Sequence, residues 1–247
     1  MAGLRIQTSG AVSSPFLAIS PRVGAGLTAL HTPRSGAPDT TRNYAAGGSA
    51  GTITGTPTYT DRWARFTSQS AYMSLAAAEL DVFTVMALAR PAAEPVGNTT
   101  GFPILSNITL GTSGFLFGFI STGGGPRLLA RRVVLEAGNP TNGSTAEVSI
   151  SAAPTAWRFC VAKFTAAGWS VHDLTASTSN TRTDARTPVK ATGALPRMGS
   201  SLNTYTGQGD VAWLQVFNRA TSLDEDAAMY AQVQAFFEEE PVPLTGF

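Results

Sequence analysis

The chain has 247 residues, 43% hydrophobic and only 13% charged, with 17 Lys or Arg against 16 Asp or Glu and a formal net charge of +1. This balance excludes an intrinsically disordered chain, which needs low hydrophobicity and high net charge. It also excludes nucleic-acid binding driven by phosphate contacts, which needs a basic stripe.

In chain order, residues 1–22 read as an extended arm. Leu4, Ile6, Phe16, Leu17 and Ile19 are scattered among Gly, Ser, Thr and Pro. Such a segment either docks on a neighbour or forms an edge strand of its own domain. The start, Met1–Gly10, lacks a basic stretch followed by an apolar core, so no signal peptide is expected. Residues 24–57 are rich in Gly, Ala, Ser, Thr and Pro and read as a long loop holding two strands, Leu27–His31 and Thr52–Thr54.

From Tyr59 onward strand signals recur. Arg62-Trp63-Ala64-Arg65-Phe66 alternates, Ala71–Leu75 follows a turn, and Val82–Leu88 is nearly continuously apolar, as a central strand is. Phe102–Leu105, Phe115–Ile120, Arg127–Val134 and Ala146–Ile150 are further strands between Gly, Asn and Pro clusters. Trp157–Phe164 and Trp169–Leu174 form a hairpin whose connection ends in Gly168, free to take positive φ. Asp210–Phe217 is the last strong strand.

One helix is expected after it. Ser222 and Glu225 have capping-box spacing, Asp224-Glu225-Asp226 suits the positive end of the helix dipole, and Ala228, Met229, Val233, Phe236 and Phe237 recur at helical spacing. About a dozen short strands and a single helix point to a sandwich or barrel, not to an alternating α/β sheet. No stretch approaches the roughly 20 apolar residues of a membrane span. Cys160, the one cysteine, lies in an apolar run, has no partner for an internal disulfide, and is expected to be a buried, inert thiol.

The ordered series also carries a resemblance. Gly55–Leu75 resembles the opening strands of laminin-G-like, concanavalin A-like jelly rolls, with Ser68 where that pattern prefers Gly. Phe83-Thr84-Val85, Trp157–Ala162 and Trp169–Leu174 resemble the later core strands. Gly207–Ala220, closing on Phe217-Asn218-Arg219-Ala220, and the helix residues Leu223, Glu225 and Tyr230 resemble the family's last strand and helix. The resemblance implies an all-β, concanavalin A-like antiparallel β-sandwich jelly roll over residues 23–240, one short C-terminal helix, and a tail at 241–247.

Such domains are binding modules, frequent in bacteriophage tail and other virion proteins. By analogy the chain is expected in a virion, in a tail, baseplate or fibre, with other virion proteins and further copies of itself as partners and host-surface polysaccharide as ligand. A capsid decoration protein and a stand-alone carbohydrate-binding module of the same fold are the alternatives, and a glycoside hydrolase comes last. No nucleic acid and no membrane insertion are expected.

The chemistry-bearing motifs are weak. Concanavalin-like glucanases carry two carboxylates on one strand face, as retaining hydrolysis needs. Glu79-Leu80-Asp81 begins that pattern, but Phe83 or Thr84 stands in the slot of the second acid. Gly47-Gly48-Ser49-Ala50-Gly51 matches a nucleophile elbow in letters, without the strand and helix the elbow requires. Ser121–Pro126 reads as a turn between strands, since no helix with a Lys follows it. His172 and Asp173 are strand neighbours and point to opposite faces. No catalytic residue is therefore assigned and no cofactor is expected. The resemblance allows calcium on loop residues, with Asp39, Asn43, Asn203 and Asp210 as candidates. For a sugar, Trp169 and His172 on one strand and Asn203 and Tyr205 on a late loop are the chosen residues. Trp169 is expected to be exposed beside its turn, while Trp63, Trp157 and Trp213 are expected in the core.

Overall fold

The computed structural model describes residues 21–97, 99–202 and 204–238. In chain order its elements are β1 (Leu27–His31), α1 (Ala37–Thr41), β2 (Thr52–Thr54), β3 (Thr58–Tyr59), β4 (Ala64–Thr67), β5 (Tyr72–Ser74), β6 (Phe83–Pro91), β7 (Phe102–Ser106) and β8 (Phe115–Thr122). There follow β9 (Gly125–Glu136), β10 (Asn139–Asn142), β11 (Ala146–Ser149), β12 (Arg158–Thr165), β13 (Gly168–Asp173), β14 (Thr178–Thr183), β15 (Arg197–Met198), β16 (Gln208–Phe217) and α2 (Leu223–Glu238).

The strands form two antiparallel sheets. The first runs β14-β13-β12-β6-β16-β4-β3, with β1 also on β16. The second runs β10-β9-β8-β7-β15-β5-β2, with β11 also on β9. The expected antiparallel sandwich is present. Between the sheets, Phe83 stacks on Phe164 at 4.6 Å and meets Phe115 edge-on at 4.8 Å, and Phe66, Phe102, Phe117 and Phe119 are fully buried around them.

The outer face of the first sheet is also covered. β12 sends Cys160, Ala162 and Phe164 into the inter-sheet core and Phe159 and Val161 outward, against Met229, Val233 and Phe237 of α2. Burial on both faces explains why β6 and β12 read as continuous apolar runs rather than alternating ones. The helix begins as expected: Ser222 N–H donates to Glu225 Oε2 at 2.8 Å and Glu225 N–H donates to Ser222 Oγ at 3.2 Å. Its first turn is also pinned to the sheet, with Lys163 Nζ 2.7 Å from Asp226 Oδ2 and donating to Thr221 O at 2.6 Å.

α1, β3, β10 and β14 were not anticipated. β10 and β14 are polar edge strands whose sequences, Asn-Pro-Thr-Asn and Thr-Ser-Asn-Thr-Arg-Thr, carry no apolar alternation. The proposed arm lies outside the described residues except for Pro21 and Arg22, and the proposed tail lies wholly outside them. Among the described residues no helix is long and apolar enough to cross a membrane.

Cys160 is fully buried, and burial pushes its thiol well above the ordinary range. The native protein is expected to show no thiol reaction with Ellman's reagent over an hour, and the denatured protein one equivalent. Rapid labelling of the native form would contradict this packing.

Candidate functional site

The four residues chosen from sequence do not converge. Trp169 is buried, correcting its expected exposure. Its indole lies where a side chain on Gly143 would stand, and its Nε1–H donates to Ser144 O at 2.9 Å. His172 is half-buried on the outer face of the first sheet, with Nε2 3.1 Å from Ser170 Oγ. Tyr205 is buried under the loops that cover the outer face of the second sheet, with Ile108, Leu116 and Val133. Asn203 lies outside the described residues.

Of the calcium candidates, Asn43 and Asp210 are committed to internal hydrogen bonds, while Asp39 is half-buried on α1. Asn43 Oδ1 accepts from Leu30 N and Ala45 N, and Asp210 holds two guanidinium groups, which leaves a cation no free carboxylate there. Among the described residues no group of three or more His, Cys, Asp or Glu could hold a metal ion.

Glu79 is buried, and its carboxylate is spent inside the protein. Oε1 accepts from Arg132 Nε at 3.2 Å and Nη2 at 3.0 Å, and Oε2 accepts from Asn107 Nδ2 at 3.1 Å and Ala191 N at 3.3 Å. Burial raises its pKa despite the opposing pull of Arg132. An apolar cavity of about 260 Å³ beside it is lined by Leu75, Phe83, Leu105, Phe115, Pro196 and Val216. The Ser170–His172 pair is the nearest approach to a nucleophile and base. The carboxylate whose charge acts on His172, Asp226, is held instead by Lys163 and by Thr221 Oγ1 at 2.6 Å, so it does not orient the imidazole.

One exposed constellation is built from several strands. Asp210 of β16 is in register with Arg65 of β4 on one side and Arg90 of β6 on the other, so the three side chains share a face. Arg65 donates to Asp210 through Nε at 2.7 Å and Nη2 at 3.0 Å, and Arg90 donates through Nε at 2.8 Å. Asp210 is fully buried, while the Arg65 and Arg90 side chains are 36% and 31% exposed. The hydrogen bond to Asp210 holds the Arg65 guanidinium above its ordinary pKa.

Indole rings alternate with these guanidiniums. Arg65 lies 5.3 Å from the Trp63 ring centroid, Arg90 5.7 Å from Trp63 and 4.8 Å from Trp157. At such distances the cations meet the negative ring faces. Trp63 is set by a tight turn: Thr60 Oγ1 accepts from Trp63 N at 3.0 Å and donates to Trp63 O, while Thr60 N donates to Trp63 O at 2.9 Å. Its neighbour Ala64 faces the inter-sheet core and is fully buried, so strand alternation puts Trp63 and Arg65 together outside. Trp157 and Trp213 are buried as expected. Trp63 packs against the same cluster but is only half-buried. The reading from sequence missed this face, although the Trp63-x-Arg65 spacing was a usable signal for it.

No protein-family model matches the chain. No curated protein matches it either. Solved structures do. The binding domain of botulinum neurotoxin DC in complex with SialylT superposes with a TM-score of 0.59 at 13% identity, over 84% of this chain and 51% of that one. The same toxin's binding domain in complex with rat synaptotagmin II gives 0.58 at 11% identity, over 85% and 52%. The binding domain of Paraclostridial Mosquitocidal Protein 1 gives 0.59 at 8% identity, over 86% and 52%. The shared property is the β-sandwich fold, and the chain spans about half the length of the structures it matches.

Proposed function

We propose that the chain is a non-enzymatic recognition domain of a bacteriophage virion, in a tail, baseplate or fibre, that holds a host-surface saccharide on the Trp63–Arg65–Arg90 face. The carrying observation is a half-buried indole fixed between two partly exposed guanidiniums. An aromatic edge offers a sugar ring an apolar contact, and a few fixed polar donors set its orientation. The fold it shares with the binding domains of toxins supports a binding role, and the internal commitment of Glu79 and of Asp226 supports a non-enzymatic one. The virion setting rests on the resemblance of the chain's strand series to phage lectin-like domains.

The test is saturable binding of the purified protein to bacterial cells and to their extracted surface polysaccharide, with released sugar assayed in parallel. Trp63→Ala is expected to weaken binding at least tenfold, as loss of an aromatic anchor does, while the protein still unfolds in one cooperative transition. Unchanged binding by Trp63→Ala would remove this face from the function. Released oligosaccharide would overturn the non-enzymatic reading.

A further inference from the structure

We infer that the saccharide held at this face carries an oxyanion, a uronate carboxylate or a bridging phosphodiester, which the free edges of Arg65 and Arg90 take up. The inference rests on the reading of this face as the saccharide site.

It follows from a count of charge and donors. A guanidinium has five N–H donors and no acceptor. Arg65 commits Nε and Nη2 to Asp210, and Arg90 commits only Nε. Nη1 of Arg65 and both Nη nitrogens of Arg90 have no hydrogen-bond partner among the described residues. One buried carboxylate therefore answers two cations, and a single positive charge remains at the surface. The ring contacts with Trp63 and Trp157 and the shared Asp210 fix both guanidiniums before any ligand arrives. A donor fork with its planes already set matches a carboxylate or phosphate in two-point fashion. A neutral sugar would leave the charge unanswered as it displaced water from it.

The test uses the full chain and four probes. A panel of uronic-acid polysaccharides (polygalacturonate, alginate and hyaluronate) is compared with the same polymers after carboxyl reduction, which keeps the linkages and removes the charge. A poly(hexosyl phosphate) supplies the phosphodiester between sugar rings, and polyglutamate supplies carboxylates without sugar rings. At least one acidic polysaccharide, or the phosphodiester polymer, is expected to bind at least tenfold tighter than its neutral counterpart or than polyglutamate. That preference is expected to vanish in Arg90→Gln, which leaves Asp210 paired with Arg65. Arg65→Gln, which leaves Arg90 on Asp210, is the second variant should the first fail to fold.

Equal binding of acidic and reduced polymers, lost in Trp63→Ala, would overturn the oxyanion and keep the saccharide site. Polyglutamate binding as tightly as the best acidic polysaccharide would overturn the saccharide site itself. Binding of no probe at all would overturn the inference.

Discussion

Replacing Arg132 by Met is expected to destabilise the protein by about 3–5 kcal/mol, the cost of leaving one partner of a buried ion pair uncompensated. In a domain of this size that lowers the melting temperature by roughly 10 °C. The Arg132 side chain is fully buried and that of Glu79 is 1% exposed, so no water replaces the lost partner. Arg132 also donates to the carbonyls of Leu80 and Asp81 and lies over the rings of Phe83 and Phe164 at 5.1 and 5.5 Å. It thus joins the loop before β6 to the middle of β9 and to the aromatic core. Replacing both partners, as Glu79→Leu with Arg132→Met, is expected to recover most of the loss, because the remaining carbonyls are cheaper to leave than a charge. Thermal and urea unfolding of both variants would check this. A single variant within about 1 kcal/mol of wild type would show that the pair is not the lock described.

The second large effect is a loss of stability in mild acid. Burial lowers the pKa of His31 from 6.5 to about 4. The unfolded chain therefore takes up a proton between those values and the folded chain does not. Stability from this group is complete above pH 6.5 and is lost as pH falls toward 4. The whole span corresponds to about 3 kcal/mol at 1.36 kcal/mol per unit. His31→Gln removes the titration. Its unfolding free energy is expected to change less than that of wild type between pH 7 and pH 4, by about 3 kcal/mol. Parallel pH profiles of the two proteins would contradict the assignment. The half-buried His172 also has a lowered pKa, through burial and then Lys163, and it adds in the same direction.

The main strands were legible because burial on both faces leaves long apolar runs, as in Phe83–Ala89 and Phe159–Phe164. The helix was legible because Ser222 and Glu225 announce its start locally. β14 was not, because an edge strand of Thr, Ser, Asn and Arg gains its order from β13 rather than from its own pattern. The tryptophans show the deeper limit. Trp169 is buried because Gly143, 26 positions earlier, leaves room for its ring. Trp63 reaches solvent because the packing that covers the middle of the first sheet leaves that end partly open. Neither fact is local: the turn beside Trp169 pointed to the wrong environment for it, and the general preference of tryptophan for the core overstated the burial of Trp63. The Arg65–Asp210–Arg90 trio is likewise a product of strand register, joining residues 145 and 120 positions apart.

The place of β16 has a consequence for synthesis. It is the last strand among the described residues, yet it lies between β6 and the edge formed by β1 and β4, and it pairs with all three. Until residues 208–217 have been made, β1 and the β3–β4 hairpin cannot join the first sheet, and one edge of β6 stays open. A nascent chain therefore completes the second sheet's hairpins well before it can close the first. The pairings that finish the fold are long-range ones, which close slowly. Once β12 has paired with β6, the growing polypeptide still carries one open edge of an apolar strand until β16 is made, the kind of edge on which other chains pair wrongly.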